Sequence, residues 1–238
     1  MKQLLQHTLT VILLMAAATA PANAGDVLDG VVASVNRQPI LRSDWEEGVR
    51  FEAFMRQKNL AQVNDADRSL ALQHLIDRQL IKAQMGDEKQ LAPSDDALQQ
   101  DIEKLRAQLP QGDDDVTWKK LLAGYGLNDK VLREHLRNEV EVMNFVEVRL
   151  RPNVHVEAAD VQAYYQDTLL PDLAKNGAQP VALESVAPRI RELLVQQHID
   201  ELLDAWLHNL RQQAKIQSSV AIPGINAPAR NEAGVGAN

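Results

Sequence analysis

The side chains most able to do chemistry are sparse and poorly spaced for it. Beyond residue 24 the histidines are His74, His135, His155, His198 and His208, and no two of them fall at i, i+3 or i+4. That spacing gives no helical His pair for a zinc site of the H-E-x-x-H type, so each reads as an isolated helix-surface histidine. Asp113-Asp114-Asp115 lacks the alternating oxygen ligands and closing bidentate Glu of a calcium loop. The triplet precedes an apolar run and reads as charge at a helix start, where the helix dipole favours it. The sequence has no cysteine, which excludes thiol nucleophiles and Cys-bearing metal sites. It also shows no G-x-S-x-G elbow, P-loop or Gly-rich dinucleotide turn. Neither a catalytic residue nor a metal or cofactor is expected. The remaining candidates are apolar: Phe51, Phe54 and Met55 cluster in one stretch, and Met143 and Phe145 in another. Met and Phe side chains re-pack around varied partners, so these five could bind peptide; core packing is the competing reading, and sequence alone does not separate the two.

The chain that must position them has 238 residues, 45% of them hydrophobic, enough for one or two domains with a real core. Aromatic residues make up only 4%, and Leu, Ala, Gln and Glu abound, which favours a mainly α fold over a sandwich or barrel. Residues 1–24, "MKQLLQHTLTVILLMAAATAPANA", combine Lys2, an apolar Leu9 to Ala18 core and small residues at Ala22 and Ala24. This is the pattern of a secretory signal peptide cleaved after Ala24; the apolar run is about half the roughly 20 residues of a membrane span. Lack of cysteine rules out lipoprotein acylation and disulfides, so stability must come from packing. A formal charge of −8 argues against nucleic acid and anionic membranes as partners. A soluble exported protein without stable membrane insertion, most simply periplasmic, is the expectation.

Val31 to Val35, Asn36-Arg37-Gln38-Pro39 and Ile40-Leu41 read as a small hairpin. Ser43 with Glu46 has capping-box spacing and predicts a helix from about Asp44 toward Lys58. Leu72, Leu75, Ile76, Leu80 and Ile81 mark a second helix that stops at Gly86, and Leu98, Ile102, Leu105 and Leu109 a third. A short helix from about Val116 to Ala123 follows, then a long one capped by Asn128. The next helix, roughly 157–168, starts at Glu157, a poor cap. "LLPDLAKNGAQPVALESV", residues 169–186, carries two prolines, a glycine and an Asn-Gly pair and reads as a break in the chain. Beyond it, Pro188 to Ala214 would make a helix about 40 Å long. "KIQSSVAI" suggests a final strand, and Pro223 to Asn238 a disordered tail.

In order, "VVASVNRQPILRSDWEEGV", "ALQHLIDRQLIKAQM", "WKKLLAGYGLNDKVLREHLRNEVEVMNFVEVRL", "VHVEAADVQAYYQD" and "VAPRIRELLVQQHIDELLDAWLHNLRQQAKI" resemble the chaperone module of SurA-like periplasmic folding factors, over nearly all of residues 27–217. The resemblance implies a multi-helix peptide-binding module with a small N-terminal hairpin, a C-terminal strand and a long C-terminal helix folding back. It implies a division into a signal peptide (1–24), an N-terminal helical module (25–170), a linker (171–183), a completing helix and strand (184–220) and a tail (221–238). Such relatives carry a parvulin prolyl-isomerase domain between the "AYYQD"-like and "PRIRELL"-like helices, where this chain has only the break. The family's catalytic residues thus have no positions here. The implied function is that of an ATP-independent holdase for unfolded or nascent exported polypeptides, outer-membrane precursors among them. The alternatives are a peptidyl-prolyl isomerase by family and a dedicated secretion or assembly adaptor. The resemblance also implies that the terminal helix and strand close the module, so that deleting residues 189–238 unfolds all of it.

Overall fold

A computed structural model describes residues 29–86, 91–109, 112 and 114–221. The expected signal peptide and the tail from Pro223 lie outside the described residues. Strands β1 (Val31–Val35) and β2 (Gln38–Leu41) form the antiparallel hairpin. Asn36 and Arg37 turn it with φ of 50° and 73°, the double left-handed geometry of a tight type I′ connection. Pro39 sits in β2 at the sheet edge, where its missing N–H costs no ladder bond.

Helix α1 (Arg42–Met55) begins directly where β2 ends, with Leu41 at the cap position. The expected Ser43–Glu46 capping box does not form. Instead, the Ser43 amide and hydroxyl both donate to the Asp29 carboxylate, the amide at 3.2 Å, and the Arg42 amide donates to the Gly30 carbonyl at 2.7 Å. The hairpin brings Asp29 alongside the helix start, so an acid from before β1 supplies the capping oxygen.

Helix α2 (Asp65–Met85) has a reciprocal Asn64–Asp67 capping box, and its expected stop, Gly86, has φ 60°. Ser94 caps α3 (Asp95–Ala107), Asp114 caps α4 (Asp115–Gly124) and Asn128 caps α5 (Asp129–Leu150). Asp114 thus has the helix-start role read for the acidic triplet; its carboxylate accepts from the Thr117 amide at 2.7 Å and is held below the usual range by that side chain and backbone. A 3₁₀ turn, Arg151–Asn153, and a short extended link lead to α6 (Ala158–Tyr164). Asp160 accepts from the Glu157 amide at 2.8 Å and compensates for the poor cap.

The break expected over 169–186 is shorter than its prolines suggest. After α6 the helix widens into a π turn, Tyr165–Leu169, and continues as α7 (Leu170–Lys175), so only residues 176–182 are non-helical. Pro171 would clash with the carbonyl four residues back in a regular helix, and the π turn upstream relieves that conflict. The Tyr165 hydroxyl donates to the Val181 carbonyl at 2.6 Å and ties the turn down. Helix α8 (Leu183–Gln213) also begins before its proline. Pro188 removes a bond only to the Glu184 carbonyl, close to the helix start, and the 31-residue helix extends about 46 Å.

Strand β3 (Ile216–Ser218) returns to pair antiparallel with β1, giving the order β2-β1-β3. Asn36 fastens the junction: its amide donates to the Lys215 carbonyl at 3.0 Å and its side chain accepts from the Lys215 amide at 2.9 Å. The architecture is therefore mainly α with one small three-stranded sheet. One core joins the sheet to α1, α2, α5 and α8 through Val32, Ile40, Leu72, Ile76, Val146 and Ile199. A second joins α1 to α3, α4 and the start of α5 through Phe51, Phe54, Leu98, Trp118, Leu122 and Leu132. Asp77 and Arg211 form a bidentate pair that clamps α8 to α2, with Nε to Oδ1 at 2.7 Å.

Candidate peptide-binding cleft

Where α5 ends, the chain turns through Arg151–Asn153 and runs beside α8. Arg151 fixes this arrangement by donating to Glu147 at 2.7 Å and to both carboxylate oxygens of Glu192, at 3.3 and 2.6 Å. These bonds hold the Arg151 guanidinium above its ordinary range and the Glu192 carboxyl below its own.

Between the two walls lie two adjoining clefts. One, of about 370 Å³, is lined by Asn153, Val154, His155, His198, Glu201 and Leu202. The other, of about 530 Å³, is lined by Arg149, Leu150, Asn153, Leu202, Ala205, Trp206 and Asn209. Asn153 and Leu202 line both, so the two adjoin as one shallow, open groove along α8. On α8 the lining residues fall at 198, 201, 202, 205, 206 and 209, one helical stripe flanking the buried stripe of Ile199, Leu207 and Leu210. Half-buried Trp206 faces Phe145, ring centroids 6.2 Å apart, and the Arg149 guanidinium lies 4.8 Å over its ring. The lining mixes apolar Leu150, Val154, Leu202, Ala205 and Trp206 with polar and charged side chains, a surface suited to reversible non-covalent contact with a polypeptide.

The five residues read as peptide-binding candidates divide by burial. Phe51 and Phe54 are each 3% exposed in the second core, and Phe145 is 6% exposed in the first. Met55 and Met143 are exposed at 41% and 45%, but neither lines the groove. Phe145 alone meets it, as backing for Trp206. Arg149, Leu202 and Trp206 were not among the candidates; the signal for Leu202 and Trp206 was the stripe on α8, legible only once the core-facing stripe beside it was fixed, and Arg149 on α5 had none. One histidine reading is corrected: His135 is buried, stacked on Phe51 at 4.5 Å with Nε2 2.9 Å from Glu47. Its partners come from α1, far away in sequence, which local spacing cannot reveal.

Among the described residues, no group of three or more His, Asp or Glu side chains is placed to hold a metal ion. No helix of those residues is long and apolar enough to cross a membrane. A family model described as the SurA-like N-terminal domain matches residues 1–145, more than half of the chain. Comparison with curated proteins finds no match.

Proposed function

The chain belongs to the SurA-like N-terminal domain family, and from that premise we propose that it is an ATP-independent periplasmic holdase for unfolded exported polypeptides, outer-membrane precursors among them. The groove between α5 and α8 is the observation that carries the reading. It offers exposed Leu202 and half-buried Trp206 beside polar side chains, open to solvent along the helix. Ordering an extended client there costs about 1–2 kcal/mol per residue, which offsets most of the apolar gain. Binding is consequently weak at each contact and yields to the client's own folding, as holding without nucleotide requires. Exposed Met143 and Val148 on α5 and Met55 on α1 add apolar surface outside the groove. Every residue lining the groove lies beyond residue 145, so its role is inferred from its lining and not from the family match.

A holdase is favoured over an isomerase because α7 and α8 are joined by the short stretch 176–182, where the family resemblance would place a parvulin domain. The test is aggregation of several unrelated chemically unfolded proteins, followed by light scattering without ATP. Suppression of all of them at near-stoichiometric amounts is expected; suppression of none removes the holdase reading. A protease-coupled prolyl-peptide assay run in parallel is expected to show no rate above background.

A further inference from the structure

We propose that the groove passes an extended client segment along α8 with an aspartate or glutamate side chain of that segment seated on Arg149. The inference rests on the holdase reading and specifies which segments the groove selects. Its starting point is a contrast between two neighbouring arginines. Arg151 is saturated by Glu147 and Glu192, whereas the Arg149 guanidinium makes no hydrogen bond or ion pair among the described residues and is held only by its stacking on Trp206. A guanidinium resting over an aromatic ring spends no N–H donor on it, and its fork of donors can match a carboxylate with two parallel bonds. Asn209, one helical turn beyond Trp206 in the same wall, likewise has no protein partner for its carboxamide among the described residues. Two uncommitted polar groups therefore share this cleft with apolar Leu150, Leu202 and Ala205.

The length of the groove decides the source of the carboxylate. From His198 to Asn209 the α8 stripe rises about 16 Å, the span of about five residues of extended chain. The two clefts share Asn153 and Leu202, so a chain laid along α8 crosses both and meets Arg149 with a side-chain carboxylate and not with a terminus. Apolar residues of the segment lie against Leu202 and Trp206, and its far end meets Glu201 and the two histidines, His155 and His198. The net charge of −8 opposes an acidic segment at long range. Salt screens that repulsion beyond about 8 Å at physiological strength, so Arg149 governs the contact itself.

The probes are two fluorescein-labelled, N-acetylated, C-amidated seven-residue peptides with a Val-Leu-Val centre and one flanking glutamate, or glutamine in its place, read by anisotropy on the full chain. The glutamate peptide is expected to bind about tenfold more tightly. Arg149→Gln should remove that difference while lowering the melting temperature by no more than about 4 °C, the share of the Trp206 contact, and Arg149→Lys should keep part of it, since an ammonium supplies charge without the fork. Equal affinity of the two peptides for the wild type overturns the proposal, as does a preference that survives Arg149→Gln. Sedimentation showing that Arg149→Gln breaks up a self-associated species would make a second copy the occupant and also overturn it. Aggregation suppression by the same preparations separates the two levels. Suppression without peptide discrimination sinks only the acidic-segment proposal, and loss of both sinks the holdase reading with it.

Discussion

Asp77→Ala should loosen α8 from the body of the protein. Asp77 is 8% exposed, and its carboxylate is engaged on both oxygens by Arg211, 134 residues further along. Removing one member of a buried pair leaves the other charge desolvated, typically a loss of about 3–5 kcal/mol. The Arg211 side chain is 22% exposed, so water recovers part of that loss and about 2–4 kcal/mol is expected. For a chain of this size the melting temperature should fall by about 6–12 °C. Asp77→Leu combined with Arg211→Met replaces the pair by apolar volume and should return to within about 1 kcal/mol of the wild type, because the desolvation of both charges disappears. Urea titration followed by far-UV circular dichroism measures all three proteins, with an unchanged m-value marking an unchanged unfolding unit. A loss below about 0.5 kcal/mol for Asp77→Ala, or a double variant no more stable than the single one, would refute the clamp.

The His74 Nδ1–H donates to the Glu52 carboxylate at 2.8 Å, and that bond raises its pKa above the ordinary 6.5. A histidine raised on folding contributes stability that is complete below pH 6.5 and lost as pH rises through the folded value. The wild type should thus lose stability above neutrality relative to His74→Gln, and parallel melting curves for the two across pH 5.5–8.5, on the order of the histidine range, would contradict the assignment. Arg37→Gly relieves a side chain held at φ 73° and should stabilise by about 1 kcal/mol in thermal melts; a destabilised variant would show that the Arg37 side chain makes a compensating contact. Deleting residues 189–238 removes β3 and most of α8, and with them Ile199, Leu207 and Leu210 from the first core. The truncated chain should show no cooperative melting, and retained two-state unfolding would mean that the N-terminal helices stand alone.

Features set by neighbouring residues were legible before any coordinates. The hairpin over 31–41, the cap at Asn128, the stop at Gly86 and the final strand after Lys215 all follow from side chains acting within a few positions of themselves. The Ser43 capping box failed because its competitor, Asp29, arrives through the hairpin from 14 residues away. The break around Pro171 was overestimated because a π turn absorbs a proline, and no local pattern announces one. Phe51, Phe54 and Phe145 looked equally suited to groove and core, since a stripe of apolar residues does not say what covers it. The groove itself joins residues 149–155 to 198–209, and the Arg149–Trp206 contact that defines it has no signature in either segment.

The position of β1 between β2 and β3 imposes an order in time. Its second neighbour comes from the far end of the chain, with Asn36 waiting for Lys215 across 179 residues. A polypeptide that emerges amino end first, from a ribosome or through a membrane pore, therefore carries one open strand edge until Ile216–Ser218 have followed. Closing so long a loop is the slow kind of step, and the first core stays incomplete until it happens. A protein proposed to shelter unfinished chains is, on this topology, itself an unfinished chain until β3 arrives.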